Sequence, residues 1–279
     1  MTMQSLRSWP AKVVLYLLLV SLALLTAFPF YWMFVLATHD RSTIFRAPPP
    51  MWFGTATAAN YERLLAALPF WRNAWNSLYT ALMATATTLF FCSLAGFGFA
   101  MYDFKGRDVL FGFLLGTMMV PGLLGIIPYY LIIRWLGWLN LPRALYVPGM
   151  ASAFGIFLMR QYIASAVPAE LLDAGRIDGL GEFGLYRRIV APLIKPAFGT
   201  LGIITFVGQW NNFMGALIVL KERTAYTLPL ALRSLQGLIS TDWGALMLGT
   251  ALSVLPLLAA FLVGSQRIIE GLTAGALKG

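Results

Sequence analysis

Long uncharged stretches alternate with short polar segments along the whole chain. Six of the stretches are rich in large apolar residues, and five of them exceed the roughly 20 residues that an α-helix needs to cross a bilayer. The fourth is shorter because Arg160 interrupts it, but Gln161–Ala169 is again uncharged, so Arg160 can extend its charge to the interface from a longer helix. The pattern therefore predicts six transmembrane helices. The stretches are Val13–His39, Asn73–Tyr102, Val109–Ile133, Ala144–Met159, Pro196–Leu220 and Trp243–Gln266.

The composition agrees with a membrane protein. Hydrophobic residues make up 59% of the 279 residues and charged residues only 11%, whereas a soluble domain carries about 25% charged residues. Arg7 and Lys12 precede the first apolar stretch, but that stretch reaches Ala37 and no A-x-A site follows it, so we expect an uncleaved helix rather than a signal peptide. We expect a tail at residues 1–12, a membrane domain at residues 13–268 and a second tail at residues 269–279.

The net charge and the distribution of the basic residues limit the kinds of partner that the chain is expected to bind. The net charge is +9, and the basic residues are dispersed among the loops, which fits an anionic membrane surface and gives no reason to expect nucleic acid. Six helices place both termini on one side. If that side is cytoplasmic, it carries 11 of the 20 basic residues, so the charge bias alone does not determine the orientation.

Several kinds of site are missing from the sequence. His39 is the only histidine and has no cluster of acidic or cysteine partners, so no metal site is expected. Cys92 stands alone in an apolar stretch, where a packing role is expected. No glycine-rich phosphate-binding motif is present, so the chain has no nucleotide site of its own. The predicted spans also lack deeply placed charges, which argues against an ion-driven carrier.

Prolines and glycines interrupt the third stretch. Pro121, Gly122, Gly125 and Pro128 predict a bent or locally unwound helix. Two interpretations stay open at this point: an ordinary membrane-helix kink, or a gating hinge beside a substrate path.

One polar segment, Pro168–Pro196, differs from the rest because it carries eight charged side chains. Each charge costs roughly 2.5–3.5 kcal/mol at the bilayer centre, so the segment must lie outside the membrane. Its pattern nevertheless predicts two helices. The first begins after Pro168 and ends at Asp178-Gly179, and the second begins at Glu182 and is ended by Pro192 and Pro196.

The first of these helices has about ten residues and is too short to be stable alone in water. Ala174 and Gly175 give it a shallow patch that another surface could approach closely, and Leu171, Leu172 and Ile177 are nearby apolar anchors. The pattern allows two interpretations: docking into a groove of a soluble partner, or packing only against the chain's own helices.

The run E-L-L-D-A-G-R-I-D-G, followed by Ile189 and Pro192, resembles the EAA loop of ATP-binding cassette importer permeases. It is closest to the carbohydrate-type permeases related to the maltose transporter. Asp173 replaces the usual Glu, Gly175 the second Ala, and Ala191 a Leu. The end of the chain, GLTAGALKG, and the element Phe206-x-x-x-Trp210-Asn211-Asn212 also resemble the sugar-type subgroup.

This resemblance implies an all-α membrane protein with the six-helix, MetI-like fold of importer permeases, in which the 168–196 loop forms cytoplasmic coupling helices that dock on an ATPase. The tail is implied to contact the ATPase as well, and the Trp210 element is a candidate for the translocation path, although polar contacts between helices explain it equally well. The implied docking residues are Glu170, Asp173, Ala174, Gly175, Asp178, Gly179 and Pro192. The tail residues are Gly271, Leu272, Thr273, Gly275 and Lys278, and the path residues are Trp210, Asn211 and Asn212.

The function implied is sugar import across a bacterial or archaeal inner membrane, with both termini cytoplasmic. The partners would be a second homologous permease, two copies of a cytoplasmic ATPase that bind ATP and Mg, and an extracytoplasmic solute-binding protein. This chain would bind no cofactor and would not be an enzyme by itself. The alternatives are a related permease for glycerol-phosphate or a polyamine, a secondary transporter, and a membrane-embedded enzyme, for which the sequence offers no catalytic cluster.

Overall fold

The computed structural model describes residues 9–237 and 241–276, and for Pro10 and residues 263–276 it describes the backbone alone. These residues form α-helices and no β-strand, as the hydrophobic pattern predicts. Short 3-10 and π-helical segments occupy Gly122–Gly125 and Tyr186–Val190. The α-helices are α1 (Trp9–Leu36), α2 (Arg41–Ile44), α3 (Thr57–Ala67), α4 (Phe70–Met101), α5 (Arg107–Thr117), α6 (Ile126–Trp135), α7 (Arg143–Tyr146), α8 (Ala153–Ala166), α9 (Ala169–Ile177), α10 (Glu182–Leu185), α11 (Ala191–Leu193), α12 (Lys195–Trp210), α13 (Phe213–Val219), α14 (Leu228–Ser234) and α15 (Trp243–Ala276).

Within the described residues, three helices are long and apolar enough to cross a membrane, and the count rises to five if each of two bent helix pairs is one span. The fourth predicted stretch gives only the 14 residues of α8, which extend about 21 Å against a hydrocarbon core of about 30 Å. The prediction of six spans therefore keeps its status as a prediction. The three long helices are Ala11–Leu36, Phe70–Met101 and Trp243–Leu262, and the bent pairs are Arg107–Thr117 with Gly122–Trp135 and Glu182–Leu193 with Lys195–Trp210.

The predicted bend in the third stretch is confirmed. Helix α5 ends at Thr117, Pro121 adopts an extended backbone, and α6 leaves at 93° to α5 after the 3-10 turn. Proline lacks the N–H that would continue the helical hydrogen bonds, which explains why the break falls here. The geometry is compatible with both the kink and the hinge interpretation.

Contacts within the chain divide it into two compact units. The first comprises residues 1–68 and 234–254, of which the described part contains α1 to α3 and the start of α15. Asn60 is buried there, and its Nδ2 donates to the carbonyl oxygens of Ala37 at 2.8 Å and His39 at 2.9 Å. Arg63 pairs with Asp242 at 2.7 Å. These polar contacts hold α3 in place within the first unit.

The second unit comprises residues 69–233 and 255–279, and its core lies where α4 packs against α8 and α12. Glycines permit the close approach of α4 and α8: a Cβ on Gly96 would lie 2.7 Å from the Met159 Cβ, and a Cβ on Gly155 would lie 2.7 Å from the Cys92 sulfur. Cys92 is fully buried in this contact, as the predicted packing role requires.

Candidate functional site

The first helix of the polar loop forms where its end signals predict. Pro168 is in an extended conformation before α9, and Glu170 lies in the first turn, where a carboxylate interacts favourably with the helix dipole. At the other end Gly179 has a φ of +82°, which glycine adopts without strain. The Asp178 N–H donates to the Ala174 carbonyl and the Leu180 N–H to the Gly175 carbonyl, each at 2.9 Å. The predicted stop at Asp178-Gly179 is confirmed.

The second helix of the loop is continuous from Glu182 to Leu193, with a π-helical turn between α10 and α11. The chain then bends by 81° into α12. Pro192 lies within the last turn rather than after it, and Pro196 lies in the first turn of α12. The second helix therefore ends between the two prolines and not before them, and Pro196 belongs to the first turn of the next helix, where its missing N–H is unneeded.

Buried apolar residues anchor the loop to α4, α8 and α12 of the same chain. Side chains of both loop helices enter the core that α4, α8 and α12 share. At its centre the Ser93 and Tyr186 hydroxyls form a buried hydrogen bond of 2.7 Å between α4 and the loop. Packing against the chain's own helices thus stabilises the short α9, without excluding a partner on its other side. The loop side chains in this core are Leu172, Leu185, Tyr186, Val190 and, at the bend, Ile194.

Gly175 faces inward. A Cβ at this position would lie 2.6 Å from Leu185 Cδ2 and 2.7 Å from Ile189 Cδ1. The close approach expected at Gly175 is therefore made within the chain, by the second loop helix, and the shallow patch open to another surface is limited to the exposed Ala174. The replacement of the usual Ala by Gly has a direct reason here, since it lets α9 lie closer to the second helix.

A polar cluster joins both loop helices to the end of α4; we call Tyr102, Asp173, Arg176 and Glu182 the latch. Arg176 donates to Asp173 Oδ1 at 2.9 Å and to Glu182 Oε1 at 3.3 Å, and its guanidinium carbon lies 6.0 Å from the centre of the Tyr102 ring. The Tyr102 hydroxyl donates to Glu182 Oε2. The latch thus fixes α9 and α10 relative to each other and to α4.

The latch changes the ionisation of its members. The hydrogen bond from Tyr102, followed by the one from Arg176, lowers the pKa of Glu182. Desolvation, followed by the hydrogen bond to Glu182, raises the pKa of Tyr102 to about 12. Tyr102 and Glu182 are 80 residues apart, so their pairing leaves no signal in the sequence. Within the latch, only the contact between Asp173 and Arg176 can be expected from the sequence, because residues three positions apart on a helix are neighbours.

The outer surface of the loop combines apolar and polar groups. Ile177 is 88% exposed, and Leu171 and Phe183 are also exposed. Most predicted docking residues lie on this surface and all of them except Gly175 are exposed: Glu170, Asp173, Ala174, Asp178, Gly179 and Pro192.

The predicted tail contacts fall largely outside the described residues. Gly271, Leu272, Thr273 and Gly275 lie on the helical backbone of α15, but their side chains are outside the described part, and Lys278 lies outside it altogether. Their contact with an ATPase keeps its status as a prediction.

The Trp210 element ends α12 and starts α13. Trp210 is only 3% exposed and stacks on Phe206 with ring centres 6.0 Å apart. The Asn211 side chain donates to the Val207 carbonyl of its own helix at 3.0 Å. The Asn212 Oδ1 caps α13 by accepting from the Gly215 N–H at 3.0 Å. These contacts support a structural role, and a place in the translocation path is still a prediction.

No group of three or more His, Cys, Asp and Glu side chains that could hold a metal ion occurs among the residues the structure describes. His39 instead contacts the Trp52 carbonyl through Nε2 at 2.9 Å.

Comparison with known proteins gives consistent results. Residues 92–270 match the family model described as "Binding-protein-dependent transport system inner membrane component". The chain is 40% identical over 205 residues to the arabinooligosaccharides transport system permease protein AraQ of Bacillus subtilis, covering 74% of this chain and 73% of that one. It is 36% identical over 276 residues to the lactose transport system permease protein LacG of Rhizobium radiobacter, covering 99% and 100%.

A solved structure shows the same fold. It belongs to a bacterial ABC transporter involved in the import of the acidic polysaccharide alginate, and it matches with a TM-score of 0.81 at 21% identity, covering 95% of this chain and 98% of the other. The relatives above are permease proteins of transport systems rather than enzymes. The chain therefore belongs to the family of binding-protein-dependent transport system inner membrane components and has the all-helical fold of the ABC importer permeases.

Proposed function

We propose that this chain is the permease subunit of an ATP-driven, binding-protein-dependent sugar importer. One observation carries the mechanism: the polar loop is buried on one side in the core shared by α4, α8 and α12, while its other side exposes apolar residues such as Ile177. A loop built in this way can receive force on its outer surface and pass it to the membrane helices.

In this proposal the loop lies in the cytoplasm with both termini, and six spans cross the inner membrane. Two copies of an ATPase bind ATP and Mg and close around the loop. Because the loop packs as part of the helix core, the closing motion moves the helices as rigid bodies and alternates access to the pore. A second homologous permease forms the other half of the pore. An external binding protein, of the kind that the family description mentions, delivers the sugar.

The docking surface in this proposal contains the exposed residues Glu170, Asp173, Ala174, Asp178, Gly179 and Pro192, together with the apolar Leu171, Ile177 and Phe183. Gly175 contributes indirectly, because its lack of a side chain sets the position of α9. The tail residues 271–278 would add a second contact with the ATPase. Trp210, Asn211 and Asn212 would support the pore wall from the end of α12.

Two observations support a sugar as the substrate: the names of the relatives and the side chains that line one cleft. The relatives at 36–40% identity transport arabinooligosaccharides and lactose by name. A cleft of about 240 Å³ beside α4 and α12 is lined by hydroxyl, amide and apolar groups and by no charged side chain. Glycerol-phosphate or a polyamine would need an opposite charge when removed from water. A neutral sugar, which needs only hydrogen bonds, fits this lining better.

Reconstitution tests the proposal. The permease pair, the ATPase and the binding protein are assembled in proteoliposomes, and uptake of radiolabelled lactose, maltose and arabinooligosaccharides is compared with uptake of putrescine and glycerol 3-phosphate. We expect ATP-dependent uptake of at least one sugar and none of the two charged solutes. Uptake of a charged solute alone would overturn the sugar class, and uptake without the ATPase would overturn the ATP-driven mechanism.

The orientation is tested separately by labelling. On a Cys92→Ala background, Ile177→Cys and Trp52→Cys each add one thiol at a strongly exposed position, in the polar loop and in the segment after α2. A membrane-impermeant maleimide added to intact cells should label the Trp52 variant and leave the Ile177 variant unlabelled until the cells are opened. Labelling of the Ile177 variant in intact cells would place the loop outside and end the coupling proposal.

A further inference from the structure

Arg160 places a positive charge in α8, whose other side chains are uncharged. It lies six residues before the helix ends at Ala166, which is about 9 Å along the helix axis. The polar loop begins two residues after that end. With the loop outside the membrane, as its charges require, the Arg160 backbone lies near the boundary between hydrocarbon and headgroups, because a headgroup region is only about 5–7 Å thick.

An aromatic ring and an amide hold the guanidinium between α5 and α8. Its central carbon lies 5.0 Å from the centre of the Phe111 ring on α5, within the range of a cation–π contact. The Arg160 Nη1 donates to Gln161 Oε1. The Phe111 ring is itself held by Phe99 and Phe157, with ring centres 5.4 and 6.4 Å away. The position of the charge is therefore built by the fold.

No carboxylate of the described residues pairs with Arg160. The acidic side chains of the turn before α5, Asp103 and Asp108, both pair with Arg107. A guanidinium has five N–H donors, and only the one toward Gln161 is used within the described part of the chain. A charge at the edge of the hydrocarbon is stable only when it is paired or reaches the headgroups. Arg160 therefore calls for an anionic partner from outside the chain.

The helix that carries the Phe111 ring exposes apolar side chains at the same level. Val109, Leu110 and Phe113 on α5 are all exposed, and such a surface marks a contact with lipid or with another apolar partner. The planar guanidinium matches the geometry of a phosphate and donates to it through two parallel hydrogen bonds. A phosphate with acyl chains attached satisfies the charge and covers the apolar surface together.

We propose that Arg160 binds the phosphate of an acidic phospholipid at the membrane face that carries the polar loop, with the acyl chains along the exposed side of α5. An acidic headgroup is favoured over a zwitterionic one because it carries no ammonium group to compete for the phosphate. A free phosphate shares the charge but not the apolar contact. The inference goes beyond the proposed function, since it needs only that the chain lies in a membrane and holds for either orientation and any solute.

The test measures lipid binding to the intact transport complex in detergent by native mass spectrometry. The probes are phosphatidylglycerol and phosphatidylcholine with identical acyl chains, and glycerol 3-phosphate as a phosphate without chains. The variants are Arg160→Gln and Arg160→Lys. The control is Arg63→Gln, which removes the same charge from a side chain that already pairs with Asp242 at 2.7 Å.

We expect the wild type to bind phosphatidylglycerol more tightly than phosphatidylcholine. Arg160→Gln should weaken the binding of phosphatidylglycerol about 10- to 150-fold, the range for hydrogen bonds to charged groups. Arg160→Lys should lose less, because lysine keeps the charge but not the planar fork. Arg63→Gln should bind like the wild type, and glycerol 3-phosphate should not displace the lipid.

Several outcomes would overturn the inference. Equal phosphatidylglycerol affinity in the wild type and Arg160→Gln would remove the site, and an equal loss in Arg63→Gln would reduce the effect to net charge. Displacement by glycerol 3-phosphate would make the ligand a free phosphate. Loss of a subunit from Arg160→Gln with unchanged lipid affinity would identify a carboxylate of that subunit as the partner.

A second measurement covers the case in which Arg160→Gln does not assemble. The wild-type complex is irradiated with phosphatidylglycerol that carries a photoreactive group beside its phosphate, and the cross-linked peptides of this chain are mapped. Cross-links within residues 107–117 and 153–166, the ranges of α5 and α8, are expected. Cross-links confined to other segments would overturn the inference without any variant.

Discussion

Replacing Gly179 with Thr tests the proposed docking role of the polar loop at a position where the backbone is left-handed. Gly179 has a φ of +82°, and a Cβ added there would meet no atom within 4 Å. Steric space is therefore sufficient, and the only cost is the left-handed backbone, which a β-branched residue tolerates poorly. We expect the Gly179→Thr loop to relieve this strain by opening the turn between α9 and α10.

The matched control lies two residues away. Gly181 also has open space around it, but its φ of −72° and ψ of 167° suit any residue. It is the N-cap of α10, where Thr is about as good as Gly. Gly181→Thr therefore adds the same side chain to the same turn without backbone strain.

The expected loss of ATPase affinity follows from the backbone strain at residue 179. A non-glycine residue held in this conformation costs about 1–3 kcal/mol. The turn is exposed, so the free loop opens locally, and docking of the ATPase has to restore the closed turn against that cost. The affinity of the ATPase for the permease pair should then fall by about 5- to 150-fold.

The assay measures binding of the ATPase to the permease pair in nanodiscs, together with the amount of permease inserted in the membrane. Gly179→Thr should weaken binding while insertion stays normal, and Gly181→Thr should bind like the wild type. Equal binding by the two variants would refute the reasoning, because it would mean that the left-handed turn has no part in docking.

Three further predictions concern packing and charge. Gly96→Ala should lower the melting temperature in detergent, because its Cβ would meet the α8 backbone at 2.8 Å. Such overpacking costs about 1–3 kcal/mol. Gly98→Ala on the same helix is the control, since its Cβ would meet open space and should not lower the melting temperature. Tyr102→Phe should lower the melting temperature at neutral pH. The hydrogen bond from Tyr102 stabilises the ionised form of Glu182, whose pKa in the folded protein lies below the ordinary value of 4.5. The stabilisation is therefore present above that ordinary pKa and is lost as the pH falls through the folded pKa. In acid the melting temperatures of the variant and the wild type should become equal. Cys92→Ala should leave uptake nearly unchanged, and complete loss of uptake would contradict its packing role.

The ends of the loop helices could be predicted because the signals are local. Pro168 and the Asp178-Gly179 pair act on their nearest neighbours in the chain, and the structure places α9 between them. The bend at Pro121 was predictable for the same reason. The length of α8 was not predictable, because hydrophobicity alone indicates one helix from Ala144 onwards. The Ser152 hydroxyl instead accepts the Gly155 N–H at 3.1 Å, so α8 starts only at Ala153.

The contacts that hold the loop could not be predicted from spacing. The bond between Ser93 and Tyr186 joins residues 93 positions apart, and their pairing depends on how α4 meets the π-helical turn of the second loop helix.

The two kinds of contact in the loop have different consequences for the proposed coupling. The latch is largely exposed, with the Arg176 and Glu182 side chains 40% and 57% accessible, and an exposed ion pair contributes only about 0–1 kcal/mol. It can orient α9 but cannot hold the loop against force. The buried residues around Tyr186 carry that load, because separating them from α4 and α8 would expose apolar surface and break a buried hydrogen bond. In the proposed mechanism, force applied at Ile177 would therefore reach α4, α8 and α12 through packed side chains, and the loop would need no internal conformational change to transmit it.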